Sequence, residues 1–157
     1  MMLVRRTVLM AGLALVLSAC GGKEPPPPPP PGIIDLDLSA AAVVNPDKSG
    51  RASPVNVTIY QLSSRSAFDG ADYFQLSKPT LLAADQRARD DILLAPGGQK
   101  NLTRPLAEGA RFIAVVAGFQ AIDKATWRAV IEVPPHGTTK LATQLAGTTL
   151  TLKLVGK

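Results

Sequence analysis

The 157-residue chain has few of the side chains that carry chemistry: one cysteine, one histidine, one tryptophan and seven aromatics in all (four Phe, two Tyr, one Trp). A lone cysteine, Cys20, excludes an intrachain disulfide and a cysteine-based zinc site. No G-x-S-x-G, no H-E-x-x-H and no phosphate-cradling glycine-rich loop occurs. The single His136 lies in Pro134-Pro135-His136-Gly137-Thr138-Thr139, where it reads as a solvated turn residue rather than a general base or metal ligand. The closest acidic pair, Asp90-Asp91, would point to opposite faces of a strand. The chain is therefore expected not to be an enzyme and to carry no cofactor or metal. A hydrolase would have to rest on His136 alone. No Lys/Arg cluster makes a nucleic-acid stripe, and the one long apolar run, Thr7 to Leu17, is too short to span a bilayer, which needs roughly 18 or more residues.

That apolar run follows Arg5 and Arg6 and ends at Leu17-Ser18-Ala19-Cys20, which fits the bacterial lipobox. An aliphatic residue and two small residues admit the peptidase. The thiol of Cys20 accepts a diacylglyceryl group as a thioether, and cleavage frees its amine for a third acyl chain. Such a load exceeds the two-signal requirement for stable anchoring, at about 0.8 kcal/mol per buried methylene. Gly21, not Asp, follows the cysteine, so by resemblance to sorted bacterial lipoproteins the expected location is the outer membrane, on its periplasmic face. Removing Arg5 and Arg6 takes Lys+Arg from 17 to 15 against 12 Asp+Glu, a mild net charge of +3. With Cys20 acylated, the fold must hold by its core alone.

Pro25 to Pro31 favours the polyproline II helix and donates no backbone hydrogen bond. At about 3.1 Å per residue, the run is a semi-rigid spacer of about 22 Å that holds a domain off the lipid. The expected organisation is a signal peptide over 1–19, the acylated cysteine and polyproline tether over 20–32, and one domain over 33–157.

The domain reads as mostly β. Ile34, Leu36 and Leu38 alternate with Asp35 and Asp37, the pattern of a half-buried strand. Val55–Leu62 alternates and is rich in β-branched residues. Arg111–Phe119 is apolar almost throughout, which suits a central strand covered on both faces, with Trp127–Val133 as its partner across a turn near Ala121–Ala125. Thr148–Val155 is a terminal strand. Asp91–Leu94, Gly98–Leu106 and Lys140–Leu145 are shorter candidates, the first two flanking the turn Pro96-Gly97-Gly98. Ser66–Leu76 breaks the period and reads as a short helix with Ser66 and Asp69 in N-cap spacing. Leu81–Asp91 holds either another helical turn or an irregular crossover. Many short strands with Pro/Gly turns predict a two-sheet β-sandwich with one or two short added helices.

Three features are candidates for binding. Trp127-Arg128 is a pair of residue types common at hot spots, although a sandwich Trp is expected in the core with the Arg pointing out. Phe68, Tyr73 and Phe74 are expected to cover an open edge or end of the sandwich rather than dock a partner. The stretch Val44–Asn56, "VNPDKSGRASPVN", separates the first two strands and is either a recognition loop on a rigid scaffold or an ordinary polar hairpin.

The ordered set of pieces carries a resemblance. A lipobox is followed by a strand, then Asn45 with Gly50-Arg51 and Pro54 leading into Ile59-Tyr60-Gln61-Leu62. Phe68, Ala71-Asp72, Leu76, Pro96-Gly97 and Trp127-Arg128 come next. This order resembles the TssJ (SciN, VasD) outer-membrane lipoproteins of type VI secretion systems. The resemblance implies a transthyretin-like β-sandwich without catalysis. It also implies a partner, the periplasmic C-terminal region of a TssM-like inner-membrane protein, gripped through the loop between the first two strands to anchor the secretion membrane complex. Here that loop supplies Asn45, Pro46, Asp47, Lys48, Ser49, Gly50 and Arg51 as partner-binding candidates, with Asp47, Lys48 and Arg51 foremost. The alternative outside this family is a periplasmic lipoprotein that binds a small molecule or sugar, which an exposed aromatic platform would favour.

Overall fold

Strict alternation gives β1 (Ile33–Val44) two unlike faces: Ile34, Leu36, Leu38 and Ala40 are buried, while Asp35 and Asp37 face outward. The computed structural model describes residues 25–156; the signal peptide expected over 1–19 and the acylation motif expected at Leu17–Cys20 lie outside the described residues. The further strands are β2 (Val55–Leu62), β3 (Gln86–Leu94), β4 (Gln99–Pro105), β5 (Phe112–Ala117), β6 (Arg128–Glu132), β7 (Thr138–Gly147) and β8 (Thr149–Leu154). They form two four-stranded sheets, ordered β4-β1-β7-β8 and β3-β2-β5-β6. The expected two-sheet sandwich with short helices is the observed fold.

Between the sheets, Leu36, Leu38, Val55, Val57, Ile113, Val115, Leu141, Leu145 and Leu150 pack as one buried core. Edges are tied on both sides. Arg104 of β4 donates to Asp90 of β3 at 2.9 Å, and Thr126, just before β6, pairs with Thr149 of β8. Asp90 and Asp91 do diverge: Asp91 turns instead to Thr58 and Arg89.

The β3-β2-β5-β6 sheet buries its outer face as well. Tyr60, Leu62, Ala114 and Val116 lie there under Phe68, Ala71, Leu76 and Leu82. The cover is α1 (Ser66–Gly70) and α2 (Tyr73–Leu76). These are two helices rather than one, because Ala71 is extended (φ −91°, ψ 147°) directly after Gly70. The expected cap is corrected too. Ser66 and Asp69 cap nothing; Asp72 caps α2, accepting from Gln75 N–H while the Gln75 side chain accepts from Asp72 N–H. The aromatic cover sits on the sheet's outer face, not on an edge or end, since that face is apolar and otherwise open. Leu81–Asp91 contains turns through Asp85 and then strand β3.

Trp127 packs against both apolar clusters, as expected, but Arg128 does not point out. Trp127 is only partly buried and meets Tyr73 edge to face at 5.5 Å. Arg128 folds back instead of pointing out. Its guanidinium donates to the carbonyls of Phe68 (2.8 Å), Ala71 (2.7 Å) and Asp69 (3.0 Å), groups a helix end leaves without partners.

Strand direction gives the sandwich two distinct ends. β1 starts beside Pro105 and Thr138 and finishes beside Gly147. Gln61, near the end of β2, donates to the Pro105 carbonyl and accepts from Ala107 N–H. Residues 106–111 and 133–137 therefore share one end with the proline run that leads into β1. Segments 45–54, 95–98 and 118–127 share the other. The 12 residues of β1, at about 3.3 Å each, put roughly 40 Å between these ends.

Candidate functional site: the loop end of the sandwich

The 45–54 segment joins β1 to β2, which lie in different sheets, so it crosses between sheets and is not a hairpin. Its base is fixed by Asn45. This residue has φ +47°, a left-handed conformation that Asn tolerates better than other side chains. Asn45 is buried. Its N–H donates to the Gly147 carbonyl at 2.7 Å. Its Nδ2 donates to the Pro54 carbonyl at 2.8 Å, and its Oδ1 accepts from Gln120 N–H at 2.8 Å. One side chain thus joins both ends of the loop to the 118–121 segment.

The tip organises itself around Asp47. Its Oδ1 accepts from the N–H groups of Ser49 (2.8 Å) and Arg51 (3.0 Å), and its Oδ2 accepts from Arg51 Nε (2.8 Å). Backbone bonds from Asp47 N–H to the Arg51 carbonyl and from Gly50 N–H to the Asp47 carbonyl close the turn. Gly50 is at φ +77°, where a side chain would be strained. The Arg51 backbone N–H, then its guanidinium, and Ser49 N–H hold the Asp47 carboxyl below its ordinary value. Asp47 therefore stays anionic and inward, about one-fifth exposed, whereas Arg51 is 81% exposed beside exposed Lys48 and Ser49. The loop presents a cationic tip on a prepaid shape. Pro46, Asp47 and Lys48 face Gln120 and Ala121 across a shallow cleft of about 300 Å³.

The sequence candidates thus separate. Lys48, Ser49 and Arg51 are displayed, Asp47 and Gly50 build the turn, and Asn45 supports its base. Supporting groups that the sequence reading missed include Gln120 and Gly118. A Cβ at Gly118 would meet Tyr73 Oη at 2.8 Å, so glycine lets the aromatic cover close against this end. Beside the family resemblance, only the Asn-Pro pair, which favours a turn, signals Asn45 in the sequence.

His136 lies at the opposite end, exposed, with Nδ1 3.0 Å from the Pro30 carbonyl oxygen. Among the described residues, no hydroxyl or carboxylate is hydrogen-bonded to it and no group of three or more His, Cys, Asp or Glu side chains is placed to hold a metal. Phe74, 65% exposed, is the one strongly exposed aromatic among the described residues.

Residues 33–148 match the family model described as T6SS-SciN, type VI secretion lipoprotein, VasD, EvfM, TssJ. The chain is similar to the T6SS lipoprotein TssJ1 from Pseudomonas aeruginosa, with 33% identity over 82% of this chain and 99% of that one (TM-score 0.78). A chain in the structure named T6SS protein TssM C-terminal domain, from EAEC, is 34% identical over 78% of this chain and 98% of that one (TM-score 0.66). Serratia marcescens Lip, a membrane bound component of the type VI secretion system, shares the fold at 24% identity over 79% of this chain and 97% of that one (TM-score 0.66). Comparison with curated proteins gives no match.

Proposed function

From the premise that the chain belongs to the type VI secretion lipoprotein family, we propose that it is held at the periplasmic face of the outer membrane by acylated Cys20. There it grips the periplasmic region of a TssM-like inner-membrane protein, anchoring the secretion membrane complex. The carrying observation is polarity. The tether enters one end of the sandwich, and the self-braced cationic loop 45–54 occupies the other. A domain tethered at one end presents its far end across the periplasm, and confinement to one surface raises its effective concentration for a partner that spans the gap.

The loop's chemistry supports a protein partner with acidic groups. Lys48 and Arg51 are displayed while the Asp47 charge is turned inward. Preorganisation by Asp47 and Asn45 lowers the ordering cost of docking. On this reading Asn45, Pro46, Asp47 and Gly50 position the loop, and Lys48, Ser49 and Arg51 touch the partner. The domain works as a non-enzymatic anchor: its family is one of secretion lipoproteins, and His136 is placed at the tether, away from the loop.

The test is recovery of the partner from detergent-solubilised membranes with the unaltered lipoprotein and with Lys48→Glu/Arg51→Glu. Loss of two displayed charges from a complementary interface is expected to weaken recovery by about tenfold or more, with a steeper loss at higher salt for the unaltered protein. Circular dichroism should not change. Undiminished recovery would remove the loop from the interface.

A further inference from the structure

The last prolines of the tether do not leave the domain freely. Gly32 is buried and paired on both sides: its N–H donates to the Pro135 carbonyl at 2.8 Å, and its carbonyl accepts from Leu106 N–H at 2.7 Å. Ile33 N–H donates to the Gly137 carbonyl at 2.8 Å. A Cβ at position 32 would come within 3.1 Å of the Pro135 oxygen, so glycine permits the close approach. Upstream of this joint, Pro28, Pro29 and Pro31, exposed on their outer side, form one wall of an open groove of about 610 Å³ whose other wall is Leu106, Ala107, Ala110, Pro135 and His136. The Pro30 carbonyl can only accept, so the His136 ring donates to it from Nδ1.

We propose that residues 106–110 and 135–136 form an intramolecular polyproline seat, with His136 as its latch, which clamps Pro28–Pro31 against the membrane-facing end of the sandwich. A proline run suits such a seat: it meets the surface already extended, loses little freedom on docking, and offers its carbonyls as acceptors. The occupant is the chain's own tether, because Gly32 and Ile33 hold the run within reach by backbone pairing. The clamp makes tether and sandwich one body. Reach is then set by residues 20–27 rather than by the whole spacer, and the direction of the loop end relative to the membrane is fixed instead of sampled. This inference is independent of which partner the loop binds.

The test uses the full-length lipoprotein in bilayer nanodiscs, with genetically encoded ketone residues at positions 24 and 153 carrying spin labels, which leaves Cys20 untouched. A seated tether gives a narrow label-to-label distance distribution. His136→Ala, and independently Ala107→Lys, which fills the seat, should broaden it to on the order of 20 Å, the sweep of a proline strut of that length pivoting at Gly32. Unchanged circular dichroism certifies the fold in each variant. A broad distribution in the unaltered chain overturns the seat, as does a narrow one in both variants. Broadening by Ala107→Lys alone overturns the role of His136 as latch.

Discussion

The outer face of the β4-β1-β7-β8 sheet carries Asp37, Gln99, Asn101, Thr103, Gln144 and Lys153, exposed to water, with Asn101 Nδ2 donating to both Asp35 and Asp37. The outer face of the β3-β2-β5-β6 sheet carries Tyr60, Leu62, Ala114 and Val116, buried under two short helices. Both sheets share one inner core, yet only the second needs a lid. The lid is a dependent structure: helices of five and four residues are far below the length at which helices hold alone in water. They persist because Phe68 is fully buried against the sheet and Arg128, on that sheet, grips the end of α1. The sandwich and its cover should therefore respond separately to mutation.

Phe68→Ala should break the contrast most severely. Truncating a fully buried phenylalanine costs about 3–5 kcal/mol, seen as a large loss of exchange protection in the lid. Amides of 66–85 should lose exchange protection first while β1 and β7 keep theirs. Arg128→Met retains much of the apolar stem but leaves three carbonyls without their charged donor, a cost of about 2 kcal/mol. Hydrogen exchange should place that loss in α1 and not in the bare sheet. Thr143→Val sharpens the contrast from the other side. Thr143 lies on the inner face of β7, fully buried, with an unpartnered hydroxyl. Replacing it with a similar-sized apolar group should stabilise the protein by about 1 kcal/mol, raising the urea midpoint and the protection of β1 and β7 while the lid's protection stays as it was. A fall in stability would mean that the hydroxyl has a partner.

How well the sequence speaks follows the same division. Where one face meets water, alternation is explicit: Ile34, Leu36 and Leu38 against Asp35 and Asp37 placed β1 correctly. The apolar run in β5 also announced a strand covered on both sides. The covering element was harder to read. Gly70 and Asp72 cut one apparent helix into two, and a helix this short carries too few turns to set a period. Arg128 was misread because charge next to Trp127 suggests an outward residue; its carbonyl partners lie 57–60 positions earlier and only the fold brings them near. At the loop, Lys48 and Arg51 were legible as displayed charge; Asp47 was read with them, and its turn inward onto the N–H groups of Ser49 and Arg51 was not legible. Nor was the burial of Asn45, because its acceptor at Pro54 and donor at Gln120 come together only when the two sheets stack.

The bare sheet face and the loop end are both large uncovered polar surfaces, and the account assigns the partner to the second. A photo-cross-linking residue at Ser49, compared in intact cells with one at Asn101, decides between them. The account predicts an adduct with a large inner-membrane protein from position 49 and none from position 101. An adduct from position 101 with none from position 49 would contradict it.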